Sequence, residues 1–147
     1  MLNVQIKKNP GAKTPFNNPE QTDAGYDLYY HTNDRIYQAI YPGERVLFNT
    51  GISISIPEGY YGQIVDRSGN AVKKGIHVMA GVIDSGYLGE IKVLLVNLST
   101  ETAVINKDDK IAQIIFKQYE KVNWEEVSEL VPTNRAEKGF GSSDNKG

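Results

Sequence analysis

Alternation of apolar and polar side chains is the clearest signal along this chain. Ile52, Ile54 and Ile56 alternate with Ser53 and Ser55 and stop at Pro57, the pattern of a strand with one buried face. Leu2, Val4 and Ile6 alternate with Asn3, Gln5 and Lys7 in the same way. Gly59 turns the chain into a further strand over 60–65. The spans 103–105 and 110–116 read as two more, separated by the polar turn Lys107-Asp108-Asp109, and Val122 with Trp124 suggests one last short strand. Only Ala71 to Lys74, just before Gly75, has the character of a helical turn. Many short strands punctuated by turn residues predict an all-β sandwich or barrel.

The rest of the chain is organised around residues 81–89. Val82 and Ile83 lead into the turn-forming triplet Asp84-Ser85-Gly86, with Tyr87 just past it, and the apolar run Ile91 to Val96 follows Gly89. The pattern predicts a hairpin whose tip carries one carboxylate and one aromatic ring with little bulk beside them. Residues 9–22, with Pro10, Gly11, Pro15 and Pro19, read as loop. In the segment Asp23 to Leu28, Gly25 allows a close backbone approach between Asp23 and Asp27. Beyond Pro132 the periodicity ends. The expected organisation is one all-β domain over 1–132 and a polar, glycine-rich arm over 133–147.

Composition narrows the picture. A chain of 147 residues is of single-domain size, and a formal charge of −2 offers no field that would gather a polyanion, so no nucleic-acid partner is expected. The absence of cysteine excludes disulfides and thiolate metal sites and fits a reducing compartment. No apolar run approaches the length of a membrane span, and Met1-Leu2-Asn3 does not open a signal peptide. The expectation is a soluble cytoplasmic protein with no membrane partner.

Five short segments share one chemical character. Asp27 stands in the first. Arg67-Ser68-Gly69, at the mouth of the helical turn, offers a guanidinium, a hydroxyl and backbone N–H donors suited to a phosphate chain. Asp84 is a proton acceptor for water, and Tyr87 a ring that could lie against a sugar. Gln113 stands alone on its strand. In the arm, Phe140 presents a flat face on which a nucleobase could stack, beside Arg135 and the N–H donors of Gly141 and Ser142. Each residue has a plainer reading as a salt bridge, a cap, a half-buried strand residue or a solvated loop charge. Together they point to a phosphorylated nucleoside.

In order and spacing these segments resemble the five motifs of the trimeric dUTP diphosphatases (dUTPases), and the scaffold stretch Thr50 to Gly62 is also similar to that family. The resemblance implies a β-clip, a distorted jelly-roll-like barrel, forming a homotrimer with a swapped C-terminal arm and three interfacial sites. One subunit would supply the first, second and fourth motifs, the next the hairpin, and the third its arm. By the same resemblance, Asp84 would be the general base for water attack on the α-phosphorus of dUTP, releasing dUMP and pyrophosphate. Tyr87 would exclude a ribose 2′-hydroxyl. Uracil would pair with main-chain groups of Val78, Val82, Ile83 and Lys92. Arg67, Ser68 and Gly69 would hold the phosphates with Gln113 nearby, and Asp27 would reach Mg2+ through water, the ion being held mainly by the triphosphate. Phe140 would stack on uracil once the arm closes, with Arg135 and Ser142 on the phosphates and Gly141 beside them.

Several positions depart from the family pattern. Asp66 precedes Arg67 where a small or neutral residue is usual, which would bring a negative charge toward the phosphates. Asn70 replaces an apolar or small residue, Asp108 a glycine, Ala136 and Asp144 two glycines of the arm. Two alternatives belong to other classes. A dCTP deaminase-like enzyme would need an acidic residue where Leu94 stands. A non-catalytic nucleotide-sensing or partner-binding trimer would bind dUTP without releasing pyrophosphate.

Overall fold

The structure, a computed structural model, describes residues 1–141. Ten strands and one short helix follow one another as β1 (Gln5–Lys8), β2 (Tyr26–Tyr29), β3 (Tyr37–Ile40), β4 (Arg45–Ser55), β5 (Tyr60–Val65), α1 (Ser68–Lys74), β6 (Ile76–Met79), β7 (Val82–Ile83), β8 (Glu90–Asn97), β9 (Ala103–Asn106) and β10 (Lys110–Gln118). They form a four-stranded sheet in the order β1-β4-β8-β6, a second in the order β2-β10-β5-β7, and a ribbon of β3 with β9. Every strand pair is antiparallel. The all-β expectation holds.

The alternation seen in the sequence is what faces the two large sheets toward each other. Ile91, Val93 and Leu95 of β8, with Phe48, Ile52 and Ile54 of β4, are buried from one side. Leu28, Ile64, Ile111 and Ile114 are buried from the other, and all belong to one apolar cluster. Each such side chain stabilises the fold by about 1.5–3 kcal/mol on leaving water. Asn97, also fully buried at the end of β8, donates to the carbonyls of Ile40 and Glu101 at 2.8 and 2.7 Å and so fastens the β3–β9 ribbon to the sheet.

Four expectations need correction. The N-terminal strand lies at Gln5–Lys8, with Ile6 exposed, because its pairing with Ile52–Ser55 of β4 fixes its place. The helix begins at Ser68, a turn earlier than expected, and ends on the left-handed Gly75. Val122 and Trp124 belong to no strand among the described residues, and both are exposed. The fourth concerns the hairpin. Val82–Ile83 does not pair with the run after Gly89; β7 pairs with Gly62 and Gln63 of β5, while β8 lies between β4 and β6. The hairpin is therefore β6–β8, and its ladder ends at Met79↔Leu94. Beyond that rung the two arms join different sheets. The departure starts at Ala80 and Gly81, both at positive φ (60° and 117°), and a Cβ on Gly81 would stand 2.5 Å from the Ile64 carbonyl oxygen.

Candidate active site

Where β2 and β10 run side by side, Asp27 stands opposite Gln113, which also pairs with Val65 at the end of β5. The chain leaving β5 then passes through Asp66 and Arg67 into α1, so Arg67 is set beside Asp27. Its Nε donates to Asp27 Oδ1 at 2.7 Å, and Lys110 Nζ lies 2.7 Å from Asp27 Oδ2. One carboxylate thus orients two cations, and the far end of the guanidinium remains for an anion. The first backbone N–H groups of α1 have no partner within the helix and open at the same place.

Asp27, Arg67, Ser68, Gly69 and Gln113 line a single cleft of about 540 Å³. Lys110 and Phe16 line it too, with the Lys110 ammonium 5.0 Å from the centre of the Phe16 ring. Neither was singled out from the sequence. Lys110 could have been found from its place three residues before Gln113; Phe16 lies in a segment read as loop and is fixed by main-chain hydrogen bonds to Asp27. Gly25 makes the wall possible, because a Cβ there would overlap the Gln113 side-chain oxygen. Gln113 Nε2 donates to the Asp66 carbonyl at 2.8 Å.

Asp66 does not present its charge to this cleft. Its Oδ1 accepts the N–H of Val78 at 2.6 Å, and Oδ2 meets Nδ1 of His77. The carboxylate that precedes Arg67 is thus directed to β6 and does not line the phosphate-type cleft. Asn70 donates to the Lys110 carbonyl at 3.0 Å, binding α1 to β10. Asp108 takes the left-handed conformation (φ 66°) that glycine would adopt, and the turn closes with Asp109 N–H on the Asn106 carbonyl at 3.0 Å.

Asp84 is elsewhere. It lines a smaller cleft of about 390 Å³ with Tyr61, Val82, Ser85 and Tyr119. Tyr87 folds back over Gly89, and its hydroxyl donates to the Glu90 carbonyl at 2.9 Å. Ile83 is half-buried, and Lys92 pairs with Asn49 of β4. The N–H of Val78 is already taken by Asp66 and its side chain is in the core, so it does not offer that donor to a base. In the arm, Arg135 Nε donates to the Lys138 carbonyl at 2.9 Å, and Phe140 is fully exposed. Gly141 is exposed as well, and Ser142 lies outside the described residues. One chain thus gathers the phosphate-type donors in one place and holds Asp84 in another.

The profile of the dUTPase family matches residues 12–144 of this chain. The chain belongs to the dUTPase family. Deoxyuridine 5′-triphosphate nucleotidohydrolase of Anaplasma marginale is 43% identical over 122 residues, covering 82% of this chain and 82% of that protein. The enzyme of the same name from Wolbachia pipientis subsp. Culex pipiens is 42% identical over 148 residues, covering 97% and 95%. Among solved structures, a dUTPase of Staphylococcus bacteriophage 80alpha bound to dUpNHpp superposes with a TM-score of 0.86 at 27% identity, covering 96% of this chain and 98% of that one. This dUTPase is accordingly a hydrolase with the family's all-β fold. Among the described residues, no helix is long and apolar enough to cross a membrane.

Proposed function

We propose that this dUTPase hydrolyses dUTP to dUMP and pyrophosphate at sites assembled from three copies of the chain, with Asp84 as the general base. The observation that carries the reading is the separation of the two clefts. Arg67, Ser68, Gly69 and Lys110 line a cleft whose Asp27 carboxylate is already paired with Arg67 and Lys110, while no cationic side chain lines the separate cleft of Asp84. A neighbouring copy brings the two together.

In the assembled site Asp84 orients a water molecule and accepts its proton as the water oxygen attacks the α-phosphorus. The bond to the bridging oxygen breaks, and pyrophosphate leaves. Arg67, the N–H groups opening α1, and Lys110 hold the phosphate oxygens and offset the charge that shifts onto the leaving group. The uracil edge is read by main-chain groups between the splayed arms, around Val82, Ile83 and Lys92. Main-chain pairing penalises a cytosine edge because buried polar groups would be left unpaired. Tyr87 packs against the deoxyribose. The arm, residues 133–147, closes over a neighbouring site with Phe140 on the base and Arg135, Gly141 and Ser142 on the phosphates.

Magnesium fits this arrangement in one way only. No group of three or more His, Asp or Glu side chains among the described residues could hold an ion, and both Asp27 oxygens are paired with cations. The protein therefore offers an outer partner to a hydrated ion carried by the triphosphate. When bound, the ion fixes the phosphate conformation and draws charge from the phosphorus. A dUTPase of phage phi11 of S. aureus, 26% identical with a TM-score of 0.77 and covering 87% of this chain and 98% of that one, has been described with a structural Mg(II) ion.

The test is pyrophosphate release from dUTP, dCTP, dTTP and UTP, with magnesium and with a chelator. Release from dUTP alone, lost with the chelator, is expected. Equal release from UTP, or ammonia release from dCTP, would contradict the reading.

A further inference from the structure

We infer that Asp66 is a positioning residue, tethering the phosphate-binding corner of the chain to the strand that leads to Asp84. The inference rests on the proposed phosphate role of Arg67, Ser68 and Gly69.

The corner between β5 and α1 is held to the second sheet by the Val65–Gln113 pairing and by Arg67 Nε on Asp27 Oδ1, and only Asp66 ties it to the first. Arg67 caps the helix without any side-chain hydrogen bond to it, and α1 buries none of its residues. The body of the helix is fastened one turn later, by Asn70 on the Lys110 carbonyl. Before Arg67, the β5–β10 ladder ends at Val65 opposite Gln113, and Asp66 alone carries side-chain fastening from there to β6. Its carboxylate takes the Val78 N–H at 2.6 Å and meets the His77 imidazole, both on β6 of the first sheet. Its carbonyl takes Gln113 Nε2 at 2.8 Å, on β10 of the second sheet. One residue thereby bridges the two sheets at the point where the guanidinium and the helix N–H groups must be aimed.

The chemistry of the bridge specifies the side chain. Val78 is buried, so removing its acceptor leaves an N–H group without a partner, a cost that the structure relieves by moving the strand or the corner. Asparagine can replace aspartate, since its Oδ1 accepts the same N–H while its Nδ2–H donates to a neutral imidazole. Alanine can do neither. Because the bridge acts on where Arg67 and Ser68 stand, its loss is read in substrate affinity before it is read in the chemical step. In each copy the same bridge also joins the phosphate donors given to one site to β6, from which the chain runs on through β7 to Asp84, given to another.

The experiment compares full-length Asp66→Ala, Asp66→Asn and unaltered protein at a temperature where circular dichroism reports all three fully folded. Steady-state pyrophosphate release from dUTP with magnesium is measured alongside amide hydrogen exchange at Val78. Asp66→Ala is expected to raise KM roughly tenfold with kcat changed by less than about threefold, and to speed exchange at Val78. Asp66→Asn is expected to restore both. A folded Asp66→Ala variant with unaltered KM would overturn the tether, and so would an Asp66→Asn variant as impaired as alanine. Were the unaltered protein to release no pyrophosphate from dUTP, the hydrolase reading would fail, and exchange at Val78 across the variants would still decide the tether.

Discussion

The ring of Tyr87 lies over Gly89 so closely that a Cβ on Gly89 would stand 2.5 Å from the Tyr87 hydroxyl oxygen. The same hydroxyl donates to Glu90, two rungs from Lys92, so the ring is held flat along the loop by its own neighbours. Gly89→Ala should lift the ring off without unfolding an exposed turn. If Tyr87 excludes a 2′-hydroxyl, the ratio of kcat/KM for dUTP over UTP should fall by about tenfold or more. Pyrophosphate release with the two nucleotides reads the ratio directly, and an unaltered ratio would remove Tyr87 from sugar selection.

Asp84 is exposed at its loop and makes no described side-chain hydrogen bond that the fold depends on. Asp84→Asn should therefore keep the melting temperature while lowering kcat by about 10²–10⁴-fold, the usual worth of a general base. Binding of a non-hydrolysable dUTP analogue, followed by calorimetry, should change little. Near-normal turnover in this variant would exclude Asp84 as the base.

Gly25 and Gln113 compete for one space. Gly25→Ala should destabilise the chain by about 1–3 kcal/mol through overpacking, since the new methyl overlaps the Gln113 side-chain amide. In a Gln113→Ala background the same change should cost much less. Denaturant unfolding of the four proteins of this double-mutant cycle gives the coupling, and additive effects would mean that the wall of the cleft is not built this way.

Among the described residues, the arm's hydrogen bonds to its own chain are local, Arg135 on Lys138 and Ala136 on Thr133, and Phe140 is fully exposed. Truncation after Pro132 should accordingly leave thermal stability intact while turnover collapses, because closure over the substrate is lost. A truncated protein with full activity would exclude the arm from the site.

Glu58 and Lys121 form an exposed ion pair that links the β4–β5 turn to the segment after β10. The Lys121 ammonium holds the Glu58 carboxyl below its ordinary 4.5, and Glu58 in turn raises Lys121 above 10.5. A lowered carboxyl stabilises the fold above its unfolded value and loses that contribution as pH falls through the folded one; a raised amine does so below its unfolded value and loses it as pH rises through the folded one. The pair is thus complete across the whole neutral range. Glu58→Gln should leave melting temperature nearly unchanged at pH 7, as surface pairs contribute little, and should flatten only the acid limb below about pH 4.5. A marked loss at pH 7 would show that the pair carries more than its exposure allows.

Strands with one clean buried face were legible from sequence alone. Tyr60–Val65 is observed at the expected residues, and the end of β4 falls before Pro57. The short strands β2 and β3 are not legible, because their burial does not alternate sharply enough to announce a strand, and β6, which does alternate, is only four residues long. Local alternation also says nothing about which neighbour a strand takes, and so Val82–Ile83 was assigned to the wrong partner. Trp124 misleads for the opposite reason: it is an apolar residue with 89% exposure among the described residues. Of the candidate site, the residues that recur in ordered segments were found. Lys110 and Phe16 were not, since they belong to the cleft only once the sheet has brought separate segments together.

The division of the reacting groups between two clefts has a consequence for the newly made protein. On the proposed mechanism a solitary polypeptide, with Asp84 in a cleft apart from Arg67, Ser68 and Gly69, holds no complete site until it meets its copies. Hydrolytic power should therefore scale with more than the first power of protein concentration at high dilution, and two differently crippled chains, one damaged at Arg67 and the other at Asp84, should regain partial competence when co-assembled.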